Sequence, residues 1–254
     1  MSNTPLRIFI GYDHRQPISY NVLQHSIIAR ASRPVSITPL KIDTLPIERM
    51  GLTPFTFSRF LVPWLTDYKG WALFLDSDIL VLGDVVELMD TADDKYAVMM
   101  TPHQGKLRFE RPSVMLWNCG HEANKILTPE YVGDNSNNLF KFPWLQALKP
   151  EDRDTDSWLI DDVHVEWNHL AGYYDKPAET PKLVHYTMGI PMYEETASSP
   201  YRDEWIEAHQ QMNGSVPWVQ LMGISKHAAR LSDGRVLPHY HPDVVAALKQ
   251  PAAE

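Results

Sequence analysis

Apolar positions along this chain fall into two periods, and the switches between them outline a fold. Arg7-Ile-Phe-Ile-Gly-Tyr12 is a short β-rich run closed by Gly11, the pattern of a buried first strand. After Asp13 the spacing turns helical. Pro17 suits a first turn, and Ile18, Val22, Ile27 and Ile28 carry the pattern to about Ala31, where Arg33-Pro34 stops it. Val35 to Ile42 alternates like a second strand, with Pro39 marking an edge or a strand end. Strand, helix, strand is how a parallel α/β sheet opens.

Phe55 to Tyr68 predicts a helix kinked or restarted at Pro63. Trp71-Ala-Leu-Phe-Leu75 is apolar throughout, as expected of a central strand covered on both faces. Asp76-Ser77-Asp78 follows at once, then apolar Ile79 to Leu82, and Asp84 with Glu87 spells a capping box. Tyr96–Met100, Ser113–Trp117 and Leu183–Tyr186 read as further strands. Thr128–Asn138 and Lys149–Ser157 are polar and loop-like, and Pro251–Glu254 reads as a frayed tail. There is no internal repeat and no linker that forces a split, so 1–254 is expected to form one domain.

The 254 residues suffice for a sizeable core without disulfides, and the single cysteine, Cys119, cannot form an internal bridge. A net charge of −9, from 32 acidic and 23 basic residues, argues against a nucleic-acid binder, which needs a basic face. No secretory segment and no apolar run of membrane-spanning length is visible. A cytoplasmic protein is expected, with peripheral attachment at the inner membrane face as a variant of that reading.

Candidate chemistry sits at the end of the apolar strand. In an extended chain, residues two apart point to the same side, so Asp76 and Asp78 would face one crevice at the carboxyl end, where open α/β sheets place their ligands. Two carboxylates so close repel unless protonated or bridged by a cation. Hard oxygen ligands suit Mg²⁺ or Mn²⁺, and an added imidazole would favour Mn²⁺. The plainer alternative is a pair of strand-end aspartates and a satisfied histidine.

Phe55-Thr-Phe-Ser-Arg59-Phe-Leu-Val-Pro-Trp64, followed by Trp71-Ala-Leu-Phe-Leu-Asp76-Ser77-Asp78, resembles the central signature of the family 8 glycosyltransferases and their bacterial relatives. Ile8-Phe-Ile-Gly11-Tyr12-Asp13 resembles that family's first strand, and His185-Tyr-Thr-Met-Gly189 its C-terminal histidine motif. The resemblance implies a GT-A fold with a mostly parallel central sheet flanked by helices. It implies a retaining, Mn²⁺-dependent transfer of a hexose-type sugar from a nucleotide-diphosphate donor, most often UDP-linked, to a glycan or other hydroxyl acceptor. Residues to about 110 would form the nucleotide-binding half and 111–195 the acceptor half, with 196–254 as an extension. By position, Asp76, Asp78 and His185 would hold the metal. Gly11, Tyr12 and Asp13 would line the base pocket. Asp76, Ser77 and Gly189 would lie against the donor, and Arg59 would meet the diphosphate or brace Asp76. One acidic residue of the stretch Asp154–Asp162 would approach the sugar, with Asp156 and Asp162 the two candidates.

The chain departs from that pattern in three places. No lysine follows Gly189, where Pro191-Met192 stands, and the His185–Gly189 spacing is one residue longer than the common form. Arg111-Pro-Ser113 stands where relatives carry Asn-x-Gly. Two other readings are open on sequence alone. One is a phosphohydrolase of the haloacid-dehalogenase type using Asp76 and Asp78, with Asp161-Asp162 as its second acidic pair. The other is a nucleotide-sugar-binding protein without catalysis.

Overall fold

A computed structural model describes residues 4–101, 112–146, 159–174 and 180–213. The chain divides into two units. The first, Met1–Trp205, holds the sheets and the candidate site; of the second, Ile206–Glu254, the described part ends with a helix at Asn213.

Six strands form the main sheet: β1 (Leu6–Gly11), β2 (Val35–Leu40), β3 (Trp71–Leu75), β5 (Val98–Met100), β6 (Val114–Asn118) and β7 (Ile160–Asp162), in the order β2-β1-β3-β6-β5-β7. β1 is parallel to β2 and β3, and β5 to β7, while β6 runs against both its neighbours. The sheet is therefore mostly parallel, and the α/β class read from the sequence is the fold observed. A smaller sheet pairs β4 (Ile79–Val81), β9 (Leu183–His185) and β8 (His169–Leu170) in the order β4-β9-β8.

Period-2 alternation explains why the main sheet is covered on both faces. Ile8, Ile10, Leu73, Leu75, Val114 and Leu116 pack with Tyr20, Leu23 and Ile27 of helix α1 (Pro17–Ile28). The residues between them, Phe9, Ala72, Phe74, Met115 and Trp117, pack on the other face with Phe55, Phe60 and Leu61. Each such side chain contributes about 1.5–3 kcal/mol relative to exposure, so the apolar run of β3 fixes the level at which Asp76 emerges.

Several expectations change in detail. The segment expected as a helix kinked or restarted at Pro63 holds a 3₁₀ turn, Ser58–Leu61, and then the short helix α2, Val62–Leu65, which starts with Pro63 in its first turn. Asp84 does cap helix α3 (Val85–Met89), its side chain accepting from the Val86 N–H. Thr128–Asn138 is not all loop: Thr128 caps helix α4 (Pro129–Gly133), its hydroxyl accepting from the Tyr131 N–H. That Thr-Pro-Glu start is a helix signal that the polar composition concealed. The segment Lys149–Ser157, with Asp154 and Asp156, lies outside the described residues, as does Pro251–Glu254.

Candidate metal and nucleotide site

The order β2-β1-β3 means that the chain leaves β1 to one side, through α1 to β2, and then crosses to the other side to form β3. The strand order reverses between β1 and β3, and open α/β sheets bind ligands outside the carboxyl ends at such a point. Two candidate segments lie at that level, Tyr12–Gln16 after β1 and Asp76–Asp78 after β3, since Ile10 is paired with Leu75.

Asp76, Asp78 and His185 come together there, with one potential ligand atom from each lying within 4.8 Å of the others. The reason is not the one that alternation predicted. The chain does not stay extended after Leu75; it turns at Ser77 and Asp78 and enters the second sheet as β4. Asp76 is fixed to the main sheet by its N–H, which donates to the Ser113 carbonyl at 2.9 Å. Asp78 is fixed to the small sheet, where its carbonyl accepts from the Tyr186 N–H at 2.9 Å. Antiparallel pairing of Ile79 with His185 then sets the imidazole beside the second carboxylate, Nε2 lying 3.2 Å from Asp78 Oδ1. His185 is buried and Asp78 partly exposed, so the cluster opens toward solvent on the carboxylate side.

Arg59 braces Asp76. Its Nη2 lies 2.9 Å from Asp76 Oδ1, Nη1 donates to the Pro112 carbonyl at 2.7 Å, and Nε donates to Thr56 O at 3.0 Å. The guanidinium carbon sits 4.9 Å from the centre of the Phe74 ring, with Phe55 and Phe140 at 6.0 and 5.7 Å. Of the two roles expected for Arg59, the geometry displays the brace. With side chains only 6% and 13% exposed, the pair is little screened by solvent.

At the end of β1, Gly11 is pressed against Phe55: a Cβ on Gly11 would fall 2.2 Å from the ring. Tyr12 is half-buried and meets Tyr20 edge to face at 5.5 Å. Asp13 is buried and bound by Arg15 on both oxygens, with Nε at 2.9 Å from Oδ1 and Nη2 at 2.6 Å from Oδ2, while the Arg15 N–H donates to Oδ1 at 2.9 Å. The guanidinium holds the Asp13 carboxyl below the usual carboxylate range, against the opposing effect of burial. Arg15 was not singled out from the sequence; the signal present was an Asp-x-Arg spacing in the loop after the first strand.

Ser77 is buried beside the cluster. Gly189 has φ +116°, a conformation that favours glycine, and its N–H donates to Tyr186 O, closing the turn after His185. Tyr193, four residues on, donates its hydroxyl to the Gln16 side chain, which joins this segment to the β1–α1 loop. Asp162 is exposed at the carboxyl end of β7, with β6 and β5 standing between it and β3, and it is not brought into the cluster. Asp156 lies outside the described residues. Among the described residues no helix is long and apolar enough to cross a membrane.

No family model matches the chain. It is 38% identical over 239 residues to Protein CDI of Arabidopsis thaliana, an alignment covering 82% of this chain and 88% of that protein. It is 28% identical over 188 residues to the glycosyltransferase GlyB of Streptococcus pneumoniae serotype 4, covering 65% of this chain but 44% of GlyB. Solved structures with a similar fold include the bifunctional glycosyltransferase WbbM (17% identity, TM-score 0.56, 86% of this chain) and GlyE of S. pneumoniae TIGR4 (16%, 0.54, 81%). The chain spans only 51% and 60% of those two proteins. The galactosyltransferase LgtC, solved with donor and acceptor sugar analogs, matches over 85% of this chain and 99% of its own (13%, 0.52). The mixed α/β architecture is thus that of the GT-A glycosyltransferases, and by its likeness to the plant protein the chain belongs to the family of Protein CDI.

Proposed function

We propose that this protein is a metal-dependent glycosyltransferase that moves a hexose-type sugar from a nucleotide-diphosphate donor, UDP-linked by the resemblance, to an acceptor hydroxyl with retention. The observation that carries the proposal is the convergence of Asp76, Asp78 and His185 where the strand order reverses between β1 and β3. The names of GlyB, WbbM, GlyE and LgtC support the reaction class.

The donor set fits a hard divalent cation, with two carboxylates and one imidazole in reach of a single point and solvent access on the Asp78 side. Asp76, Asp78 and His185 would hold Mn²⁺, with Mg²⁺ the alternative. Bound there, the cation supplies Lewis-acid stabilisation of the charge growing on the leaving nucleotide. The chain's own residues do the positioning. Arg59 holds the Asp76 carboxylate in one orientation, and the β4–β9 pairing holds His185 against Asp78. Gly11, Tyr12 and Asp13 border the nucleotide end, and Ser77 and Gly189 flank the donor. The site needs no strong protein base if the leaving phosphate oxygen takes the acceptor's proton, so the candidates Asp156 and Asp162, of which one would approach the sugar, are not needed for proton transfer. The phosphohydrolase alternative is not favoured, because Asp161 and Asp162 sit on β7, three places from β3 in the sheet.

A thermal-shift screen of nucleotide-sugars with and without Mn²⁺ tests the proposal. Ligand at one hundred times its Kd adds about 2.7 kcal/mol. One nucleotide-sugar is expected to raise the unfolding temperature, and a chelator to remove the effect. A chain that no nucleotide-sugar stabilises in Mn²⁺ would falsify the reading.

A further inference from the structure

Asp13 and Arg15 occupy the loop that borders the crevice, and their roles there differ. Asp13 is the buried member, its side chain 10% exposed, and its carboxylate is committed to Arg15: the Arg15 N–H, Nε and Nη2 occupy both oxygens, with a further Nε–Oδ2 contact at 3.1 Å. A carboxylate has about four acceptor positions, so little of Asp13 is left to receive a donor from a ligand. Arg15 is the reverse. Its side chain is 57% exposed, and the edge facing Asp13 consumes Nε and Nη2 only. Nη2 also reaches Leu52 O at 3.3 Å, while Nη1 has no hydrogen-bond partner among the described residues. A guanidinium is planar and carries five N–H groups in a fixed fork. Holding one edge against a buried carboxylate therefore aims the remaining group, Nη1, in one direction.

Three further observations bear on what that group could meet. Residues 12–16 directly continue β1 at the reversal point. Gln16, next in the chain, is hydrogen-bonded to Tyr193 from the segment that follows His185 and Gly189, so the loop borders the same mouth as the metal cluster. Arg59, the guanidinium that meets the cluster among the described residues, is buried against Asp76 and the carbonyls of Pro112 and Thr56.

Building on the proposed function, we infer that Arg15 is the side chain presented to acceptor oxygens of the nucleoside diphosphate, and that Asp13 is the positioning residue which aims it. This gives Asp13 a role different from the expected one of lining the base pocket. The test is equilibrium binding, by calorimetry in Mn²⁺, of UDP, GDP, ADP and CDP to the full chain, using the tightest for the variants Arg15→Met, Arg15→Lys, Asp13→Asn and the double variant Arg15→Met/Asp13→Asn. Charge-assisted hydrogen bonds at such a site carry about tenfold or more in affinity each. Arg15→Met is expected to weaken binding by at least about tenfold, with Arg15→Lys intermediate because an ammonium keeps the charge but not the fork. Asp13→Asn is expected to weaken binding too, with the double variant no weaker than Arg15→Met alone. Wild-type affinity in Arg15→Met, or losses that multiply in the double variant, would overturn the assignment, the second because Asp13 would then touch the ligand itself. Unfolding curves for each variant separate loss of binding from loss of fold, and Arg15→Lys retains the tie to Asp13 should Arg15→Met be unstable. A wild-type chain that binds none of the four nucleotides overturns the glycosyl-transfer reading, and this inference with it.

Discussion

Replacing Arg59 with methionine keeps the stem but removes the guanidinium between Asp76 and three aromatic rings. Because the pair is almost shielded from solvent, Asp76 would be left partly buried without its countercharge, a change that costs about 3–5 kcal/mol. Chemical denaturation of Arg59→Met should show a loss of that size. Removing a group that orients a metal ligand typically lowers affinity by about 10–100-fold, so Mn²⁺ titration should show a right shift in the same variant. Asp78→Ala and His185→Ala act on the ligands themselves and are expected to abolish Mn²⁺-stimulated release of nucleotide from the donor. Near-normal turnover in either would mean that the cluster is only an ion-pair network. At this scale the sequence exposed the proposed ligands and, through the family resemblance, the Arg59–Asp76 brace. Asp76, Asp78 and His185 stand out by chemistry and position, whereas the Arg15–Asp13 pairing depends on how a loop is folded, which no periodicity encodes.

A buried hydroxyl ties the small sheet to helix α1. Ser26, buried in α1, donates to Leu23 O at 2.8 Å and accepts from the N–H of Val81 at 3.1 Å. It thereby satisfies a strand group of β4 that the pairing with β9 does not use, and ties β4 to the helix. Ser26→Ala leaves a buried N–H unpaired and should cost about 1–3 kcal/mol, with loss of Mn²⁺ affinity if β4 shifts. Gly11→Ala tests the other end of the site. The added methyl must displace the Phe55 ring, an overpacking expected to cost about 1–3 kcal/mol, and Phe55→Leu in the same chain should restore part of it. Strands rich in Ile, Leu and Phe were legible because burial on both faces leaves a continuous apolar run. β7 and β8, with Asp161, Asp162 and His169 among their five residues, were not, since short edge strands carry too little alternation to separate them from loop. The helix expected over Phe55–Tyr68 failed in its first half, where the segment packs its aromatic side chains against β1 and β3 and a regular helix gives way to turns.

For the whole molecule, acid should be felt through buried imidazoles. Burial pushes the His169 imidazole below its ordinary pKa, and the ring is packed against Tyr174 and Tyr201 with Nε2 lacking a hydrogen-bond partner among the described residues. Burial shifts His121 in the same direction. The unfolded chain then takes up the proton first, so stability is complete above about pH 6.5 and declines as pH falls toward the lowered folded values. Unfolding free energy measured from pH 7.5 to 5 should fall, and His169→Phe, which keeps a ring in place, should flatten part of that slope. The α/β architecture was visible in the sequence because its first half is local, built from strands and turns close together in the chain. β7 was not, since it joins the sheet only by pairing with β5, 62 residues earlier in the chain (160 − 98).

The pairing of Ile79 with His185 spans 106 residues of chain (185 − 79). During synthesis at about 5–20 residues per second, both aspartates therefore exist for some 5–20 s before the imidazole has even been polymerised. Through that interval the nascent chain carries Asp76 and Asp78 without His185 to complete the set. If the proposed function holds, cation binding by all three residues is a late event in the life of each molecule, and a ribosome stalled before residue 185 would hold a chain with its Rossmann-like beginning made and that set of residues incomplete.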